Sequence, residues 1–113
     1  MSDTTATVES SLRLGGGFEP PERDGVIARF SKLDSRLRSF RPDAVELELT
    51  VKERDTPSQR TTLEAWIAGQ PRLVATSTRT NLDQALTEVR DDLIRQITDT
   101  KSRTEPRNNR QRR

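Results

Sequence analysis

The chain has no cysteine and no histidine among its 113 residues. That removes disulfides, Cys/His zinc sites and the usual thiol or imidazole chemistry, and it suits a reducing compartment. Long apolar runs are missing too: nothing approaches the roughly 20 residues of a membrane span. The opening MSDTTATVESSL has neither the basic nor the apolar region of a secretory signal. A soluble, cytoplasmic protein is therefore expected. Apolar residues make up 29% of the chain and charged ones 34%, so any core is thin, and a single domain of modest stability is expected.

Groups able to do chemistry are scarce. Asp91 and Asp92 are an acidic pair, but neighbours on a helix point in different directions. Gly15-Gly16-Gly17 is followed by neither Walker nor dinucleotide spacing, and reads as a turn or a close backbone approach. No enzyme activity, cofactor, metal site or small-molecule substrate is expected.

Charge is present but unevenly placed. Residues 101–113 hold six Lys/Arg against one Glu, whereas the whole chain has a net charge of +2. The body is thus slightly acidic and the end basic, the pattern of an interaction tail or of solvated disorder. We expect an α+β domain over residues 1–104 and a disordered basic tail over 105–113, whose polar flanks begin around Pro106.

Hydrophobic periodicity organises the rest. Val8, Leu12 and Leu14 alternate weakly and suggest a first strand over residues 7–14. Pro20-Pro21 suits the first turn of a helix. Val26, Phe30, Leu33, Leu37 and Phe40 then make one apolar stripe, predicting a helix over about 21–39 that ends at Arg41-Pro42. Val45, Leu47, Leu49 and Val51 alternate with Glu46, Glu48, Thr50 and Lys52, a strand with one wet face over 44–53. Two more strands follow at 60–68 and 72–78, with Leu63, Ala65, Ile67, Leu73, Ala75 and Ser77 inward. Asn81 with Gln84 three residues later marks a helix start, and Leu82, Ala85, Leu86, Val89, Leu93 and Ile97 form its core stripe. The order β-α-β-β-β-α predicts a two-layer sandwich: a mainly antiparallel four-stranded sheet with two helices on one face.

Arg29, Lys32 and Arg36 share a flank of the first helix, Arg90 and Arg95 lie on the second, and the tail is rich in arginine. Such charges neutralise phosphates; they also suit ordinary solvated helix faces. Trp66 faces outward, either as a partner contact or lying flat over Val74 and Thr76.

The stretches ARFSKLDSRLRSF, RLVATSTRTNLDQAL and VRDDLIRQITDTK, in this order of elements, resemble the ribosome hibernation-promoting factors, also called ribosome-associated inhibitors or sigma-54 modulation proteins. The resemblance spans about residues 8–103 and excludes the tail. Its anchors are Lys32-Leu33, the Leu73–Ala75 strand running into a helix with Ala85-Leu86, and Leu93 followed by Arg95-Gln96. It implies a stress-response translation regulator that docks on the small ribosomal subunit near the decoding region, blocks the mRNA and tRNA sites and contacts rRNA backbone. The matching positions are Arg29, Lys32, Arg95 and Lys101. With the basic pattern they give the rRNA-binding set Arg29, Lys32, Arg36, Arg90, Arg95, Lys101 and Arg103, with Arg107, Arg110, Arg112 and Arg113 as added tail contacts. The chain departs from the family in its Gly15–Gly17 turn and in Asp91, Asp92 and Asp99, which make the second helix less basic. It would be a short form that acts as a monomer and does not pair ribosomes through a second domain. Two alternatives stand beside this: a protein–protein adaptor using the sheet face around Trp66, and a double-stranded RNA module. The start NLDQALTE, acidic where that module needs a base, argues against the second.

Overall fold

The computed structural model describes residues 7–38 and 40–104, with the side chains of Pro42 and of residues 100–104 outside the description. The expected disordered tail, with Arg107, Arg110, Arg112 and Arg113, lies outside the described residues. The α+β class is present: helices α1 (Thr7–Ser11), α2 (Arg23–Phe30), α3 (Lys32–Leu37) and α4 (Leu82–Thr104), and strands β1 (Leu12–Leu14), β2 (Val45–Lys52), β3 (Arg60–Ile67) and β4 (Leu73–Ser77). Short 3-10 turns stand at Pro20–Glu22 and Pro42–Ala44.

The strands lie side by side in chain order. β2 pairs antiparallel with β3, and β3 with β4. β1 pairs parallel to β2, Leu12 opposite Leu47 and Leu14 opposite Leu49. The sheet is therefore mixed, correcting the expected mainly antiparallel one. A parallel neighbour needs a crossover rather than a hairpin, and α2 and α3 supply it. Both consequently run back against β1 and β2. Since β3 and β4 each reverse direction, α4 runs the same way as α2 and α3.

Four α-helices among the described residues replace the expected two. The first difference is at residues 7–14, where only Leu12–Leu14 is strand. Val8 and Leu12 are four residues apart, a spacing that fits one helical turn as well as alternation in a strand. In α1, Val8 is fully buried, and its N–H donates to Asp34 Oδ1 at 2.9 Å. The second difference is a break at Ser31, which splits the expected 21–39 helix. Ser31 keeps helical angles (φ −61, ψ −21), so the apolar stripe continues across the break unchanged. What changes is the bonding: the Ser31 N–H turns to the Ala28 carbonyl at 3.4 Å, and the Arg29 carbonyl accepts a bond from Arg90 Nη1 at 3.1 Å.

Alternation in the strands produces the layers. Val45, Leu47, Leu49, Val51, Leu63, Ala65, Ile67, Leu73 and Ala75 are buried on one face. Val26, Phe30, Leu33 and Leu37 from α2 and α3, and Leu86, Val89, Leu93 and Ile97 from α4, join these sheet residues, Val51 excepted, in a single cluster. Val8 and Leu12 close it at the β1 side. At the start of α4, Asn81 Oδ1 accepts the Gln84 N–H at 3.0 Å, satisfying one otherwise free donor of the first turn.

Arg54, in the loop between β2 and β3, clasps the segment before α2. Its Nη1 and Nη2 reach Glu22 Oε1 and Oε2 at 2.9 and 2.6 Å, and Nη1 also donates to the Gly17 carbonyl at 2.7 Å. Its guanidinium sits 5.5 Å from the Phe18 ring centre. The paired Arg54 hydrogen bonds hold the Glu22 carboxyl at about 2, below its ordinary 4.5. A carboxyl depressed in the folded state stabilises it above the ordinary value and loses that contribution as pH falls towards the folded one. We expect Glu22→Gln to cost stability at pH 7, with the gap from the native chain closing between about pH 4.5 and pH 2. Urea unfolding at a series of pH values would show it; a gap that stays constant down to pH 2 would contradict the coupling.

Candidate nucleic-acid interface

Each basic residue of the expected set can now be placed, and they separate into two groups. Lys32 and Arg36 lie one turn apart on α3, with Leu33 and Leu37 turned into the core. Both basic side chains are exposed, and among the described residues neither has an ion-pair or hydrogen-bond partner. Arg38, in the turn after α3, is in the same state. Because α3 ends here, positive charge also meets the negative end of the helix dipole.

The other group is committed within the fold. Arg29 Nη2 pairs with Asp83 Oδ1 and its Nη1 donates to Thr87 Oγ1, both at 3.2 Å, tying α2 to the first turns of α4. Arg90 is more deeply engaged: its side chain is only 14% exposed. Besides its bond to the Arg29 carbonyl, its Nε donates to Asp91 Oδ1 at 3.0 Å. Its bond to the Arg29 carbonyl thereby gives a partner to one of the carbonyls at the end of α2. Arg95 pairs with Asp92, beside Gln96, whose Nε2 donates to the Val74 carbonyl of β4. At five residues from Arg90, Arg95 lies about 140° round the helix. The two therefore do not share a face, and Arg95 belongs to the β4 side. Lys101 and Arg103 fall within α4, their side chains outside the described part.

The remaining charge on α4 is partly acidic. Glu88 accepts from Ser77 Oγ at 2.6 Å and from Arg79 Nε at 3.1 Å; these bonds, the serine's foremost, hold its carboxyl below the usual range. Among the described residues the surface is thus polarised, with unpaired cations along α3 and acids on the α4 flank nearest β4.

Trp66 is half-buried on the outer face of the sheet, opposite Glu46. Val74 stands opposite Glu64, diagonal to Trp66, but Thr76 pairs with Thr62 and is not a neighbour of the indole. Only the Val74 half of the expected packing partnership is within reach. Two cations passed over by the sequence reading emerge on this face. Lys52 and Arg60 sit directly opposite each other across β2 and β3, both exposed and unpaired among the described residues. The alternation that put Lys52 on the wet face was the available signal.

Among the described residues no group of three or more acidic side chains is placed to hold a metal ion, and no helix is long and apolar enough to cross a membrane. Compared with models of known protein families and with curated protein sequences, the chain matches none.

Proposed function

We propose that this protein docks on the small ribosomal subunit near the decoding region through rRNA backbone contacts, and holds the ribosome inactive by occupying mRNA and tRNA sites. The observation that carries the reading is the row of cations at Lys32, Arg36 and Arg38, which have no partner among the described residues. They stand on a short helix anchored by Leu33 and Leu37, next to the parallel helix α4. Cations without internal partners give up no existing bond when a phosphate approaches. Arg29, Arg90 and Arg95 would each have to abandon a carboxylate, hydroxyl or carbonyl. In this reading the first group contacts RNA and Arg29 and Arg90 hold the two helices in register. The resemblance to the hibernation factors names the site; the free charges on α3 make it chemically reasonable.

Co-sedimentation of purified protein with small subunits across a salt series tests this. Binding should weaken steeply with salt, and Lys32→Glu with Arg36→Glu should reduce the logarithmic salt slope by about 2, one unit per lost phosphate contact. Arg95→Glu should change the slope less, because that guanidinium is already paired. Failure of the native protein to sediment with subunits at low salt, or a preference for plain RNA duplex over subunits, would overturn the proposal.

A further inference from the structure

The outer face of the sheet carries a charge pattern with an internal symmetry. Residues that face outward form four rows across the strands. Glu46 and Trp66 make the first row. Arg13, Glu48, Glu64 and Val74 make the second; Thr50, Thr62 and Thr76 the third; Lys52 and Arg60 the fourth. Glu48 and Glu64 are flanked by Arg13 at 3.8 Å and Arg72 at 3.4 Å. Glu46, Lys52 and Arg60 have no charged partner among the described residues, and Val74 is the exposed large apolar side chain there. Both directly opposed charged pairs of β2 and β3, Glu48 with Glu64 and Lys52 with Arg60, are like-charged, an arrangement that destabilises an isolated sheet.

We propose that this face docks against the same face of a second copy of the chain, with the strands of the two sheets antiparallel. A two-fold axis lying between the sheets and crossing the strands between the second and third rows brings β2 over β2 and β3 over β3. Lys52 of each copy then meets Glu46 of the other, and Arg60 meets the Trp66 ring, a favourable cation–aromatic contact. Thr50 and Thr62 donate to Glu48 and Glu64, and Val74 meets the Thr76 methyl. The other two-fold stacking, with the axis along the strands, sets Glu48 over Glu64 and Lys52 over Arg60. Electrostatics therefore selects the first arrangement. At about 4.8 Å between strands and 3.3 Å per residue, the face covers roughly 400 Å² per copy. That is below the roughly 800 Å² per partner of a stable complex, so the pair is transient and appears as concentration rises. The inference stands apart from the RNA reading, since it uses the opposite side of the sheet and is measured without RNA.

Sedimentation equilibrium of the full chain, from about 10 μM to about 1 mM in low salt, provides the test. The mass should climb from 12.9 kDa towards twice that value. Glu46→Lys alone and Lys52→Glu alone should each remain at the single-chain mass, while E46K/K52E in one chain, or an equal mixture of the two single variants, should associate again. That rescue distinguishes a cross-copy pair from loss of folding. A native mass that stays at one chain, single variants that associate as well as the native chain, or a double variant that fails to recover would each overturn the proposal. So would loss of association on removing residues 105–113, since the occupant would then be the basic C-terminal segment.

Discussion

Phe30→Ala is expected to remove about 4 kcal/mol of stability, a large share of what a domain of this size has. Phe30 is fully buried at the last position of α2 and heads the largest side chains of the core. It belongs to the cluster in which α2, α3 and α4 meet the sheet, so the void opens inside the packed core. Two effects oppose each other. Alanine is the better helix former, by at most ~0.7 kcal/mol. The lost burial and the unfilled cavity cost ~3–5 kcal/mol, so the cavity wins by several-fold. Urea unfolding should show the midpoint falling by roughly 2 M at an unchanged slope. Phe30→Leu, which keeps most of the volume, should cost less than half as much. Near-equal losses in the two variants would mean that the ring is not tightly packed.

The same residue illustrates how far the sequence reading reaches. Phe30 lies in the stripe from Val26 to Phe40, and the stripe is real: the helical segment and its inward face are where periodicity puts them. The strand alternation of Val45–Lys52 and the Asn81 cap were equally legible, because each is set by neighbours within a few residues. The break at Ser31 was not, since it involves a guanidinium from Arg90, 61 residues beyond the Arg29 carbonyl it meets, and Ser31 itself keeps helical angles. The parallel pairing of β1 was hidden for a related reason. A three-residue strand has too few positions to separate a period of two from one of 3.6, and pairing direction leaves no mark on so short a run.

The candidate interface was half legible in the same sense. Helical spacing put Arg29, Lys32 and Arg36 on one flank. Which of them is free depends on what α4 presents opposite, and Asp83 and Thr87 take Arg29 alone. Counting basic residues therefore gives a longer list than the set left without partners among the described residues. The acidic character of α4 has a structural use: Asp83, Glu88 and Asp92 are the partners of Arg29, Arg79 and Arg95.

The triple glycine after β1 sets up the second large effect. Gly17→Ala is expected to cost several kcal/mol, Gly15→Ala less, and Gly16→Ala almost nothing. The segment runs on beside β2 after β1 ends, with the Gly15 N–H donating to the Leu49 carbonyl at 2.7 Å and the Val51 N–H to the Gly16 carbonyl at 3.0 Å. Gly17 has φ +96, and a Cβ there would stand 2.3 Å from the Val51 carbonyl oxygen and 2.4 Å from Val51 Cγ1. The angle alone costs a non-glycine residue ~1–3 kcal/mol. The carbonyl belongs to a paired strand and cannot turn aside, so strain and clash add. At Gly15 the nearest atom is Thr50 Cγ2, at 2.4 Å, a side chain that can adjust; adding Thr50→Ser should recover much of that loss. At Gly16 a Cβ meets nothing within 4 Å. There, reduced freedom of the unfolded chain offsets whatever small cost remains. Thermal or urea unfolding of the three alanine variants should therefore give a graded series across adjacent glycines. Equal effects at positions 16 and 17 would show that flexibility, and not the close approach to Val51, is what this segment requires.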